Sequence, residues 1–343
     1  QCKCRCKIVF MKIAIVKLSA LGDIVHAMTV IQFIKRYNHK IQIDWVVESR
    51  FSGLLDCHPD IKNIHKVNIK KAKEKKSFFL LIRELGRIRK FGSYDLVIDM
   101  QGLIKSAVIS RLIPSPITVG FDKSSIRENI ASIFYNQTFQ YSYAENVIER
   151  NVALMAFALE LNFDNKEIQY KFPFLYSSQK YSNIGLSDFK KNIVLIPGAS
   201  HQSKCYPTAS LAKLATLIDA NFLVIWGDLK EKILAEEIKI LAPNVSICEK
   251  LTIDSLKSLI SQVDLVIGPD TGPTHIAWAL NVASITLFGP TPGYRNSYVT
   301  KINRIIESDS KVNPHKMDRN DNSIRDIDVQ GILQVSKDLL SQS

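Results

Sequence analysis

No apolar run in this 343-residue chain is long enough to cross a bilayer. It also lacks the common phosphate loops: no Gly-x-Gly-x-x-Gly follows the first predicted strand, and no Walker-type lysine loop occurs anywhere. Those absences disfavour a dinucleotide redox enzyme and a P-loop phosphotransferase. Cysteine is scarce where it would matter. Three of the six, Cys2, Cys4 and Cys6, crowd the first residues, and Cys57, Cys205 and Cys248 are isolated. Neither a disulfide framework nor paired zinc spacing results, so a reducing cytoplasm fits best. A soft metal on Cys2-x-Cys4-x-Cys6 would need a second ligand cluster, which is missing. The basic opening is followed by apolar residues broken by Lys12 and Lys17, so no secretory signal is expected. The fold is expected to begin at Met11, with residues 1–10 an upstream extension.

What is present is a globular composition, 46% hydrophobic and 9% aromatic, long enough for two domains. Lys and Arg total 45 against 33 Asp and Glu, a formal charge of +12. The excess is concentrated: ten basic residues face only Glu74 and Glu84 between Lys66 and Lys90. Such a run is usually a solvated face, but it also suits an anionic surface such as lipid phosphate or an acidic sugar. Few aromatics interleave with it and no nucleic-acid module is recognisable, so nucleic acid is not expected as a partner.

Short apolar segments alternate with helical periodicity. Strands are expected over 13–18, 43–48, 96–100, 193–196, 222–226, 245–247, 263–267 and 283–288. Helices are expected over 23–37, 77–90, 148–161, 207–220, 231–241 and 253–262, and one should continue from Ile276. This is an α/β pattern with parallel sheets and right-handed crossovers. It divides into a first domain over 11–176, a polar linker over 177–191 and a second domain over 192–325. A C-terminal helix over 326–343 is expected to pack back on the first domain. Ligands in such folds bind beyond the carboxyl ends of strands. The loops there are 19–23, 101–106, 197–204, 227–231 and 268–275.

The last of these, Gly268-Pro269-Asp270-Thr271-Gly272-Pro273-Thr274-His275, ends a strand and opens a helix. Helix N-termini carry unpaired N–H donors and partial positive charge, which suits a pyrophosphate. An ordinary turn punctuated by Pro and Gly would look the same.

Two loops carry a family resemblance. Lys17-Leu18-Ser19-Ala20-Leu21-Gly22-Asp23-Ile24-Val25-His26 resembles the opening motif of family 9 glycosyltransferases, the bacterial lipopolysaccharide heptosyltransferases, and Gly268–His275 matches their nucleotide-sugar loop. Asp99-Met100-Gln101-Gly102-Leu103-Ile104-Lys105-Ser106-Ala107 is similar to a segment typical of members that add the first heptose to the inner core. Arg127-Glu128-Asn129-Ile130-Ala131-Ser132 and Glu149-Arg150 share that likeness. The similarity runs from Met11 onward. Two departures are Ala27-Met28-Thr29, which lacks a proline, and Tyr206, where Trp is frequent.

The resemblance implies a GT-B fold, two Rossmann-like domains with parallel sheets facing across a cleft. It implies inverting transfer from ADP-L-glycero-β-D-manno-heptose to O5 of a Kdo residue of Kdo2-lipid A. That work belongs to a cytoplasmic protein held peripherally at the inner membrane. Inversion in one displacement needs a base on the acceptor hydroxyl and stabilisation of the departing diphosphate. Asp23 is the expected base, although an Asp there also suits a helix cap; Lys17 and His26 are placed to orient it. On the donor side Ser200, Lys204, Thr271, Gly272 and Thr274 are expected around the diphosphate. Asp270 is expected on heptose hydroxyls, Glu231 on the ribose, Leu251 against adenine, and His275 packed beneath the loop. Lys70, Lys71, Lys73, Gln101, Lys105, Arg127 and Arg150 are expected to meet the acceptor. No acidic cluster suited to Mg²⁺ is evident, so no metal or other cofactor is expected. The alternatives are a heptosyltransferase II, a GT-B nucleotide-sugar epimerase, and a non-catalytic glycolipid-binding protein.

Overall fold

The computed structural model describes residues 11–69, 77–178 and 185–342. The chain divides into two units, one holding the residues up to Tyr143 together with Glu149–Lys171, the other Ala144–Ile148 together with Phe172 onward.

The first unit is built on a parallel six-stranded sheet: β1 (Lys12–Val16), β2 (Gln42–Glu48), β3 (Ile61–Val67), β4 (Leu96–Asp99), β5 (Ile117–Phe121) and β6 (Gln137–Phe139), in the order β3-β2-β1-β4-β5-β6. β1 and β4 lie side by side in the middle with Val16 paired to Asp99, and nearly all their residues are buried. Strands covered on both faces read as continuous apolar runs, which is why these were visible in the sequence. α1 (Leu21–Met28) and α2 (Val30–Tyr37) follow β1. One helix was expected here. The interruption is confined to Thr29, buried and still right-handed helical at φ −56°, ψ −26°. α3 (Phe78–Ile88) precedes β4, α4 (Ile104–Leu112) follows it, and α5 (Val147–Ala158) lies beyond β6. Connections reverse direction between β1 and β4, the switch point at which open α/β sheets bind ligands.

The second unit repeats the plan. β7 (Asn192–Leu195), β8 (Asn221–Val224), β9 (Val245–Ile247), β10 (Leu265–Pro269), β11 (Ala283–Phe288) and β12 (Asn303–Glu307) lie in the order β12-β11-β10-β7-β8-β9, all parallel. Its switch point falls between β7 and β10, where Leu195 pairs with Ile267. α6 (Thr208–Leu217), α7 (Leu229–Leu241), α8 (Ile253–Ile260), α9 (Gly272–Ala279) and the single turn α10 (Gly293–Asn296) complete the alternation.

In the C-terminal helix α11 (Val329–Leu340) the apolar stripe Ile332, Leu333 and Leu339 is buried in the core of the second unit with Leu211, Leu214 and Leu287. Tyr206 anchors the same region, its hydroxyl donating to Ile327 O at 2.7 Å. The stretch expected as a linker also belongs to this unit where it is described, with Ser178 N and Oγ donating to Asp254 on α8.

Candidate active site

In the first unit the Asp23 loop leaves β1 at the switch point. Asp23 is the third residue of α1, and its Oδ2 accepts the Ala20 N–H at 3.0 Å, the reach-back half of a capping box. Its Oδ1 has no hydrogen-bond partner among the described residues. The cap and the base are therefore compatible roles, one for each oxygen. His26, one turn on, is buried on the same helix. Lys17 is buried too, its Nζ donating to Met100 O at 2.8 Å across the β1–β4 boundary.

Gln101 grips the backbone at this corner. Its Oε1 accepts two consecutive backbone N–H groups, Leu18 and Ser19, each at 3.1 Å. It thereby fastens the β1 loop to the β4 loop. Asp99, the first residue of the same segment, supports this corner. It is fully buried, accepts from Gln101 N at 2.8 Å and from the Tyr135 hydroxyl at 2.8 Å, and burial raises its pKa. Lys105 Nζ lies 3.4 Å from both Ser19 Oγ and Glu48 Oε1, so a half-exposed cation sits beside the Asp23 loop.

Arg150 also needs correction. It is 4% exposed, and its guanidinium donates to Tyr141 O at 2.6 Å, Ser125 O at 2.7 Å and Ser142 O, while lying over the Phe121 ring. A cation so enclosed ties loops together and is not presented to an acceptor. Arg127 stays exposed, 5.9 Å from the Tyr143 ring centre, and Glu128 caps α4 by accepting Ile104 N at 2.7 Å. Lys70, Lys71 and Lys73 lie outside the described residues.

In the second unit the loops after β7 and β10 meet at the switch point. Lys204 Nζ and Asp270 Oδ2 are 2.7 Å apart with both side chains about nine-tenths buried. Asp270 Oδ2 also accepts from Thr291 Oγ1 at 3.1 Å and Asn296 Nδ2 at 3.3 Å, and His275 Nε2 lies 3.1 Å from Oδ1. Burial alone would raise the Asp270 pKa, but the Lys204 charge and the His275 contact overcome it and hold the carboxyl far below its usual range. Asp270 is thus the anchor of the cluster, with both carboxylate oxygens engaged. His275 lies under the loop as anticipated. Lys204 makes no other hydrogen bond among the described residues, which leaves two ammonium protons for a ligand.

Thr274 is buried at the start of α9. Its buried hydroxyl donates to Thr271 O at 2.6 Å, closing the first turn of α9 instead of facing outward. Thr271 and Gly272 remain partly exposed at that N-terminus, and Ser200 is exposed. Glu231 stands one strand over. Its Oε2 accepts Gly227 N at 2.6 Å, and burial raises its pKa despite that bond. A Cβ at Gly198 would come within 2.3 Å of Glu231, so only glycine lets the β7 loop run this close. Asp228 caps α7 by accepting Lys230 N and Glu231 N at 2.9 and 3.0 Å, fixing where Glu231 starts. Leu251 is half-buried immediately before Thr252, the cap of α8.

Thr291 and Asn296 were missed because the loop after β11 was not counted with the others, although it too follows a strand's carboxyl end. Asp228 had a visible signal, an Asp three residues before a Glu at a helix start.

The sequence profile of glycosyltransferase family 9 (heptosyltransferase) matches residues 81–323, which contain Gln101 and the whole Lys204–Asp270 cluster. The chain belongs to this family. Lipopolysaccharide heptosyltransferase 1 of Campylobacter coli is 40% identical over 96% of this chain and 99% of its own length. The enzyme of that name from Pseudomonas aeruginosa is 29% identical over 84% of this chain and 81% of its own. In architecture, the E. coli heptosyltransferase WaaC with ADP superposes with a TM-score of 0.79 at 23% identity, covering 96% of this chain and 100% of that one. The two six-stranded units are accordingly those of a GT-B family 9 glycosyltransferase.

Proposed function

We propose that the protein transfers L-glycero-D-manno-heptose from ADP-heptose to O5 of a Kdo residue of Kdo2-lipid A, with inversion, in assembly of the lipopolysaccharide inner core. The observation that carries this is the likeness to heptosyltransferase 1 of Campylobacter coli over nearly the full length of both chains. The residues fit the chemistry. Asp23 Oδ1 takes the proton from the acceptor hydroxyl as that oxygen bonds the anomeric carbon. The bond from that carbon to the diphosphate oxygen breaks, and ADP leaves with the electron pair.

The leaving charge is met by the two uncommitted Lys204 protons and by the partial positive charge of α9 at Thr271 and Gly272. No divalent metal is required in this scheme. Glu231 accepts from the ribose hydroxyls and Leu251 packs on the adenine. Lys105 and Arg127 meet the acceptor's carboxylate and phosphate groups, together with Lys70, Lys71 and Lys73 from the basic run. Among the described residues no helix is long and apolar enough to cross a membrane. The enzyme is therefore proposed to reach its lipid acceptor from the cytoplasmic face of the inner membrane, as a peripheral protein.

The discriminating experiment offers ADP-heptose with either Kdo2-lipid A or an inner core already carrying one heptose. Turnover is expected on the first alone. Preference for the heptosylated core, or consumption of the donor with no acceptor present, would refute the assignment.

A further inference from the structure

Three neighbouring helical segments of the first unit leave large apolar side chains in solvent. α3 exposes Phe78 at 75%, Phe79 at 73% and Ile82 at 52%; the short 3₁₀ segment Asn129–Phe134 exposes Ile130 at 62% and Ile133 at 74%. Between them α4 starts on Ile104, itself more than a third exposed. α3 packs against α4, and α4 against Asn129–Phe134. Right-handed crossovers from β3 to β4, β4 to β5 and β5 to β6 place all three on one face of the sheet.

Phe78, Phe79, Ile82 and Ile104 also share one end of that face. Phe78, Phe79 and Ile82 occupy the first half of α3, and Ile104 opens α4 directly after β4, so they sit toward the strand carboxyl ends, where the Asp23 loop leaves β1. A stripe of this kind is not core that failed to be covered. On α3 the buried position Ile88 and the half-buried Leu80, Glu84 and Leu85 form the inward side, while Phe78, Phe79, Ile82 and Arg83 form the outward side. Exposed cations fringe the patch: Arg83 on α3, and Lys123 and Arg127 before Asn129.

We propose that this face is the enzyme's membrane contact, with Phe78, Phe79, Ile82, Ile130 and Ile133 entering the interfacial layer of an anionic bilayer and the flanking arginines and lysines pairing with lipid phosphates. Charge complementarity selects this occupant. A chain of formal charge +12 with cations around exposed aromatic rings fits an anionic lipid surface, whereas a second copy would bring like charge to like. The inference rests on the peripheral location proposed above. It adds that the Asp23 end of the first unit is the end turned toward the lipid that carries the acceptor.

Two variants test it: Phe78→Ser with Phe79→Ser, and Ile130→Ser with Ile133→Ser. Both change exposed residues outside the catalytic and binding set. Flotation with phosphatidylglycerol-containing vesicles and with pure phosphatidylcholine vesicles gives the first reading. The wild type is expected to float with the anionic vesicles, to lose that binding in high salt, and to lose it at least tenfold in either variant. Turnover gives the second reading. It should fall at least tenfold on vesicle-embedded Kdo2-lipid A and stay unchanged on a deacylated, water-soluble acceptor.

Equal flotation of wild type and variants would overturn the proposal. So would a wild type that sediments as a dimer and variants that sediment as monomers, since a second copy would then cover the face. If the wild type transfers heptose to neither acceptor yet binds vesicles through this patch, the reaction assigned above fails while the membrane surface stands.

Discussion

At the residue scale the arrangement turns on two carboxylates in opposite states. Asp23 keeps one oxygen unbonded at the start of α1, while both oxygens of Asp270 are engaged beneath α9. Asp23→Asn retains an oxygen to accept Ala20 N, so the helix start should survive and only the proposed proton acceptor is removed. We expect kcat to fall about 10²- to 10⁴-fold, the usual worth of a general base, with ADP affinity measured by calorimetry unchanged. Asp270→Asn instead leaves the buried Lys204 cation without its counter-charge. Loss of one partner from such a pair costs about 3–5 kcal/mol, readable as a lowered urea midpoint, and ADP binding should weaken with it.

The pH dependence follows from the direction of the Asp270 shift. Its folded pKa lies below the ordinary value of 3.8, so its stabilising contribution is complete above about pH 4. That contribution is lost as the pH falls from there toward the depressed native value. Wild type should therefore lose stability more steeply than Asp270→Asn below about pH 4, and parallel acid-unfolding curves would exclude the ion pair as the cause.

At the scale of elements, loops at the switch point of each sheet are tied by side chains from the neighbouring strand's loop. Gln101→Leu leaves Leu18 N and Ser19 N without an acceptor, a loss of about 1–3 kcal/mol for a buried donor. The larger effect should be kinetic: kcat falls at least tenfold while the donor KM holds, because displacing the Asp23 loop by 1 Å is enough to matter. Gln101→Glu keeps the acceptor oxygen and should restore most of the rate. Arg150→Met tests the other reassignment. A guanidinium holding three carbonyls should cost about 2–3 kcal/mol of stability when removed, since hydrogen bonds to charged groups are worth about 1.5–3 kcal/mol. A raised acceptor KM at unchanged stability would return Arg150 to the acceptor site.

These elements were unevenly legible. β11 matches its expected span and the central strands β1, β4, β7 and β10 fall within two residues of theirs, because strands buried on both faces keep an apolar signature; β9 matches as well, although it is an edge strand. β3, β5, β6 and β12 went unseen. β3, β6 and β12 are edge strands: Ile61–Val67 carries Lys62, Asn63, His65 and Lys66, Gln137–Phe139 is three residues long, and Asn303–Glu307 is half polar. Site loops were findable because they must follow strand ends. The partner of each side chain was not. That Arg150 turns inward and Gln101 grips a backbone depends on contacts among residues tens of positions apart, which periodicity does not encode.

At the scale of the whole molecule, two units of the same plan divide the labour. The first carries Asp23, the basic run and the exposed apolar face; the second carries the Lys204–Asp270 pair and the glycine-lined approach to Glu231. Family membership and the duplicated sheet converge on group transfer from a nucleotide sugar. The most direct measurement is the mass of Kdo2-lipid A before and after incubation with the protein and ADP-heptose, with released ADP counted in the same sample. The account predicts a product heavier by a single heptose and one ADP freed for each heptose added. An acceptor of unchanged mass, or ADP released in its absence at the same rate, would contradict it.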